Sequence, residues 1–169
     1  RDLWASFVGE KGFDRATQVQ EQAIPPVLEG KSVEVLAKTG SGKTLAYALP
    51  LVQRLKQWEA EGGKSRPGAP KILVLLPTRE LAAQVLKVFK ELAHHAKFRP
   101  RQLRGGGRGR SAKSDNMDIL IANPGTLLES VRDEDISLEE LESVVLDEAD
   151  QLMEMGFAQD IQALNKSYF

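Results

Sequence analysis

The chain has 169 residues, 41% hydrophobic and 28% charged, which fits one ordinary globular domain able to bury a core without covalent staples. It contains no cysteine, so disulfides and thiolate metal sites within it are excluded. A net charge of −1 means that any nucleic-acid footprint must be local. The longest apolar runs, Ile72 to Leu76 and Ile119 to Ala122, are strand-sized, so no membrane span is expected, and no signal peptide is visible. These features fit an intracellular protein, with cytoplasm, nucleus and organelle not distinguished. The first residue is Arg1 rather than Met, so the chain reads as excised from a longer protein that could have carried a targeting segment.

In chain order, the opening residues read as the end of a helix, with Leu3, Phe7 and Val8 on one side and a stop at Gly12. Thr17 precedes a helix carrying Val19, Ala23, Val27 and Leu28 and closed by Gly30, with a break or kink expected at Pro25 and Pro26. Val33 to Ala37 is a short apolar strand leading into a glycine-rich turn. A helix follows through Leu45, Leu49, Val52 and Leu55, bent at Pro50. Glu59 to Pro70 reads as an exposed loop.

Lys71 to Leu76 is a strand, and Thr78 opens a helix with Leu81, Val85, Val88, Leu92 and Ala96 on one face. Arg101 to Arg104 reads as a strand running into Gly105-Gly106-Gly107. Asp118 to Ala122 is another strand, followed by Asn123-Pro124 and a helix through Leu127, Leu128 and Val131. Ser137 and Glu140 form a capping box for a short helix. Ser143 to Leu146 is a strand ending in Asp147-Glu148-Ala149-Asp150, and one last helix runs through Leu152 and Met155. Continuous apolar strands alternating with amphipathic helices indicate an α/β fold, a parallel sheet with helices on both faces.

Ala37-Lys38-Thr39-Gly40-Ser41-Gly42-Lys43-Thr44 carries the strongest chemical signal. Its glycines let successive backbone N–H groups face phosphate oxygens, and the helix behind it adds its positive dipole end. Lys43 then reaches the β- and γ-phosphates, and the Thr44 hydroxyl ligates Mg²⁺. A plain glycine turn does not need Gly-Lys-Thr at this offset between strand and helix. A P-loop site also needs a carboxylate at a neighbouring strand end to hold Mg²⁺. Asp147 is placed for that, and Glu148 to deprotonate the attacking water. Asp150 suits bonding to neighbouring loops. Alone, these acids would suit any helix start; after an apolar strand and beside a P-loop they read as catalytic.

With these motifs in hand, the chain resembles the first RecA-like domain of a DEAD-box RNA helicase. Asp147-Glu148-Ala149-Asp150 is the family's eponymous motif, and the P-loop matches its version, with Ala37 at the first position. Pro77-Thr78-Arg79-Glu80-Leu81-Ala82 matches its motif Ia. Residues 12–25, with Gly12-Phe13, Thr17, Gln20 and Ala23-Ile24-Pro25, resemble the Q motif. The matches fall in family order and span residues 12 to 157, so the whole of 1–169 is expected to be the ATP-binding domain.

The resemblance implies that ATP and Mg²⁺ are bound by Arg15, Thr17, Gln20 and Ala37 to Thr44, with Gln20 reading the adenine edge. It also implies RNA contacts at Pro77, Thr78, Arg79, Gly105, Gly106, Asn123, Pro124, Gly125 and Thr126. These touch sugar and phosphate, hence little sequence specificity. Arg104, Arg108 and Arg110 make the glycine cluster basic, though such a run also suits a solvated loop.

Four departures stand out. Ala16 and Gln18 replace the usual Pro and apolar residue of the Q motif. The family's adenine-stacking aromatic would precede residue 1. Asn123-Pro124-Gly125-Thr126 replaces Thr-Pro-Gly-Arg, so a charged phosphate contact is expected to be lost at Thr126. The Ser-Ala-Thr motif is missing.

His94 and His95 read as surface residues, and Trp4, Trp58 and Phe157 as packing residues. The resemblance further implies a second RecA-like domain of the same protein, absent here, that supplies arginine fingers and half of the RNA site. This chain is accordingly expected to be monomeric, to bind nucleotide modestly and to hydrolyse ATP barely at all. Two alternatives stand beside this one: another P-loop nucleic-acid translocase, and an ATP-gated RNA clamp or scaffold.

Overall fold

The structure, a computed structural model, describes residues 15–105 and 112–168, with side chains to residue 166. The expected opening helix, with Trp4 and Gly12-Phe13, lies outside the described residues, as do Gly106, Gly107, Arg108 and Arg110. The chain divides into two compact units. One holds the described residues up to Lys64 together with Val88–Lys97; the other holds Ser65–Lys87 and everything from Phe98 onward.

The first unit is built on two helices, α1 (Gln18–Leu28) and α2 (Lys43–Ala60), packed together. α1 continues through Pro25 and Pro26, where a break was expected. Both prolines sit near its C-terminal end, and their carbonyls still accept from Glu29 N and Lys31 N. Gly30, in the left-handed region at φ +79°, then stops the helix, as a glycine there does without a Cβ penalty. Of the apolar face read from sequence only Ala23 is buried, and Leu28 is exposed. α2 likewise continues through Pro50 and buries Leu49, Val52 and Leu55. Tyr47 meets Phe89 with ring centroids 6.4 Å apart.

The expected strand Val33 to Ala37 is not formed. Residues 31–38 carry no assigned structure, and Leu36 is 92% exposed. An apolar run becomes a strand only with a ladder partner, and the described ladders join β-strands of the second unit alone.

That unit holds a parallel sheet of β1 (Ile72–Leu75), β2 (Pro100–Gln102), β3 (Ile119–Ala122) and β4 (Ser143–Leu146), in the order β2-β3-β1-β4. Every residue of β1 and β3 is buried, so both sheet faces are covered there. Between strands run α3 (Arg79–Ala96), which also enters the first unit, and α4 (Pro124–Arg132). Leu73, Leu75, Leu120, Leu127 and Leu164 lie at the centre of one core cluster.

Three further expectations change. Gly68, Ala69 and Pro70 are buried at the end of the loop expected to be exposed. Ser137 opens a turn rather than a helix: its hydroxyl accepts from Glu139 N, while the Glu140 carboxylate pairs with Arg66 and Lys71 instead of closing a box. The helix expected to be the last, through Leu152 and Met155, is α5 (Ala149–Glu154), and a further helix, α6 (Ala158–Tyr168), follows it. Gly156 at φ +86° ends α5 with Gly156 N bonded to Met153 O and Phe157 N to Leu152 O, the Schellman pattern.

Candidate functional site

α2 begins at a glycine. Gly42 is its N-cap at φ +94° and offers no side-chain cap, so no N-cap side chain meets the first N–H groups of this 18-residue helix. Nothing stands within 4 Å of where a Cβ on Gly40 would lie, so the turn is open. Ser41 Oγ is buried and has no hydrogen-bond partner among the described residues. Lys43 Nζ folds back onto Ala37 O at 2.8 Å. An open, donor-rich turn with an orphaned hydroxyl and an ammonium is what a phosphate chain requires.

Gln20 supports this turn from α1. It is 5% exposed; its Oε1 accepts from Thr17 N at 3.0 Å, and its Nε2 donates to Gly42 O at 3.2 Å. A Cβ on Gly42 would lie 2.5 Å from Gln20 Nε2. Gln20 was expected to read a base; in the structure its amide bonds Thr17 N and Gly42 O, at the turn before α2. Arg15 is exposed, and Lys38 and Thr39 are exposed on the same turn.

In a parallel sheet all strands end on one edge, the usual place for a ligand in α/β folds. Asp147, Pro77, Asn123 and Gly105 all follow strand ends here. Asp147 N extends the ladder to Leu75 O at 3.0 Å, which buries the Asp147 side chain at the edge. Its Oδ1 accepts from Glu148 N at 3.0 Å. Glu148 stands at φ 51°, ψ 51°, a left-handed conformation costing a non-glycine residue roughly 1 kcal/mol. Such strain is concentrated at functional residues. Asp150, expected to bond to neighbouring loops, is exposed, and its hydrogen bond among the described residues is to Gln151 N.

On the same edge, Thr78 Oγ1 caps α3 by accepting from Leu81 N at 3.2 Å, and Arg79 is exposed. Asn123 Oδ1 caps α4 by accepting from Thr126 N at 2.8 Å, with Pro124 at the first helical position. Gly105 joins the two helix starts. A Cβ there would lie 3.1 Å from Thr126 Oγ1 and 3.5 Å from Arg79 Nη2. Two residues were missed from sequence. Gln102 Nε2 donates to Arg79 O at 3.0 Å, tying β2 to the first turn of α3. Asp160 lies beside Gly125. A polar residue closing a short strand was a signal for Gln102; nothing marked Asp160. Phe157, expected in the core, is half-buried beside the same glycine.

A family model described as DEAD/DEAH box helicase matches residues 17–168. The chain belongs to that family. It is 42% identical over 156 residues to the ATP-dependent RNA helicase SrmB of Escherichia coli, covering 90% of this chain and 34% of that protein. It is 40% identical over 157 residues to DEAD-box ATP-dependent RNA helicase 39 of Arabidopsis thaliana, covering 90% of this chain and 25% of that one. Among solved structures it resembles a hypothetical ATP-dependent RNA helicase from Sulfolobus tokodaii, with a TM-score of 0.82 and 36% identity over 97% of this chain and 46% of the other. The chain thus spans less than half the length of these relatives.

Membership of the DEAD/DEAH box family establishes the RecA-like α/β fold expected from sequence. Among the described residues no helix is long and apolar enough to cross a membrane. The Thr44 hydroxyl in the first unit and the Asp147 carboxylate in the second are each a hard oxygen donor of the kind Mg²⁺ takes. In this DEAD-box chain Thr126 turns inward against Gly105 and is 9% exposed.

Proposed function

We propose that this chain is the nucleotide-binding half of an ATP-dependent RNA helicase, which couples ATP hydrolysis to local separation of an RNA duplex or remodelling of an RNA–protein complex. The observation that carries it is the start of α2 behind Gly40 and Gly42, which has no side-chain cap, with a buried Ser41 hydroxyl that has no partner among the described residues. It is supported by a DEAD-box sequence in which Lys43, Asp147 and Glu148 are intact.

ATP lies against residues 37–44, with Arg15, Thr17 and Gln20 toward its base. Lys43 neutralises charge on the β- and γ-phosphates, and Glu148 takes a proton from the attacking water. Thr44 and Asp147 would hold Mg²⁺, which supplies charge neutralisation at the phosphoryl oxygens. RNA runs over Pro77, Thr78, Arg79, Gly105, Gly106, Asn123, Pro124, Gly125 and Thr126, bound through its backbone. A second RecA-like domain of the same protein completes both sites.

The test is the full-length protein carrying Glu148→Gln, with a short RNA duplex and a DNA duplex of the same sequence. ATP turnover is expected to fall about a hundredfold or more, the scale of a lost general base. ATP-dependent RNA binding should persist, and RNA should be preferred to DNA. Turnover that survives the substitution contradicts the role of Glu148, and equal use of DNA contradicts the RNA assignment.

A further inference from the structure

We infer that Asp160 acts as an anionic brake on the RNA face, a carboxylate that weakens phosphate binding at the start of α4; this rests on the RNA assignment above. α6 packs on α4 through Leu164, which belongs to the cluster holding Leu127 and Leu128, and Ile161, which packs against that cluster. Asp160 immediately precedes Ile161 and lies one helical turn before Leu164, so it sits at the end of this packed face. Its Oδ2 stands 3.6 Å from where a Cβ on Gly125 would be, over the first turn of α4. Phe157, one turn earlier, touches the same point at 3.8 Å, which fixes the approach of α6.

Asp160 is half-buried, and it makes no hydrogen bond or ion pair with any described residue. Thr126, the nearest residue of α4 facing Gly105, is neutral. The positive end of α4 therefore already has a negative charge beside it, held by packing, while the Arg79 guanidinium lies on the Gly105 side of the same helix start. The helix start favours any anion, and Asp160 competes there with an RNA phosphate. At roughly 6 Å and the dielectric of water, two like charges repel by an amount worth about threefold in affinity. The brake leaves an RNA strand easier to release, which suits a protein that must let go after each round.

The test is binding of a fluorescent single-stranded oligouridine to the full-length protein and to its Asp160→Asn variant, from low to high salt. Asparagine keeps the shape and removes the charge. The variant is expected to bind about threefold tighter at low salt, with the advantage vanishing near 1 M, where screening reaches a few ångströms. Its melting temperature should fall slightly, because a carboxylate near a helix start favours the fold. Nucleotide affinity should not move. If the parent binds RNA and Asp160→Asn binds equally or more weakly, the brake is wrong and the RNA face stands. If neither binds RNA at low salt, both fall.

Discussion

Gln20 Nε2 donates to Gly42 O across 3.2 Å, so the glutamine of α1 bonds directly to the glycine that starts α2. The other end of the same amide accepts from Thr17 N. One buried side chain thus fixes the entry of its own helix and the closing residue of the phosphate loop. Gln20→Ala is expected to cost about 1 kcal/mol of stability through the lost helix-start bond. It should also weaken ADP and GDP together, because the loop they share loses its support. Chemical denaturation and nucleotide titration check this; a loss confined to ADP would restrict Gln20 to base reading.

Gly42 is the second half of that relationship. Its φ of +94° disfavours any side chain, and a Cβ would strike the Gln20 amide. Gly42→Ala is expected to destabilise by about 1–3 kcal/mol and to abolish measurable nucleotide binding. Retained binding with an unchanged melting temperature would mean the loop is not held in this form.

How much of this was legible in the sequence depends on whether a feature is local. β4 and the Asn123 cap of α4 follow from apolar runs and capping residues, and all appear where expected. Residues 33–37 show the limit, since a run of apolar residues does not name its ladder partner. Ser137 shows another, because Glu140 had partners in Arg66 and Lys71 that lie far off in sequence. The helix through Leu152 was read as the last, and the helix beyond the Gly156 stop was not read at all. In the site, the motif residues were legible as chemistry, but the Gly105 meeting with Thr126 and Arg79 depends on strand order.

Gly105 therefore offers a test of the RNA face that spares the nucleotide loop. A Cβ there lies 3.1–3.2 Å from Thr126, close enough that a methyl group requires only a small shift. Gly105→Ala should leave the fold intact and Gly105→Val should not fit without displacing Thr126. RNA affinity is expected to fall in that order, with ADP binding unchanged. Equal RNA binding by all three proteins would remove Gly105 from the interface.

The opposite edge of the sheet carries a separate, structural device. Asp118 is 1% exposed and accepts from Arg99 N, Nε and Nη2 at 2.7, 3.0 and 2.8 Å, and from Ser65 Oγ at 2.5 Å. Burial pushes its carboxyl up, but the bonds from Arg99 and Ser65 together outweigh that and hold it below the ordinary 3.8. A group whose pKa is lower folded than unfolded stabilises the fold above the unfolded value, and that contribution fades as pH falls through the folded value. Asp118→Asn is expected to cost roughly 2 kcal/mol near neutrality, with the gap from the parent narrowing below about pH 4. A gap that stays constant on acidification would show that the charge of Asp118 does not matter.

A phosphate site at the start of α2 is tested most directly by titration of this chain with a fluorescent adenine nucleotide and Mg²⁺, repeated for Lys43→Ala. Binding that ADP displaces, and that weakens about tenfold or more without the ammonium, is the expected result. Absence of binding, or binding indifferent to Lys43→Ala, would contradict a phosphate site at the start of α2.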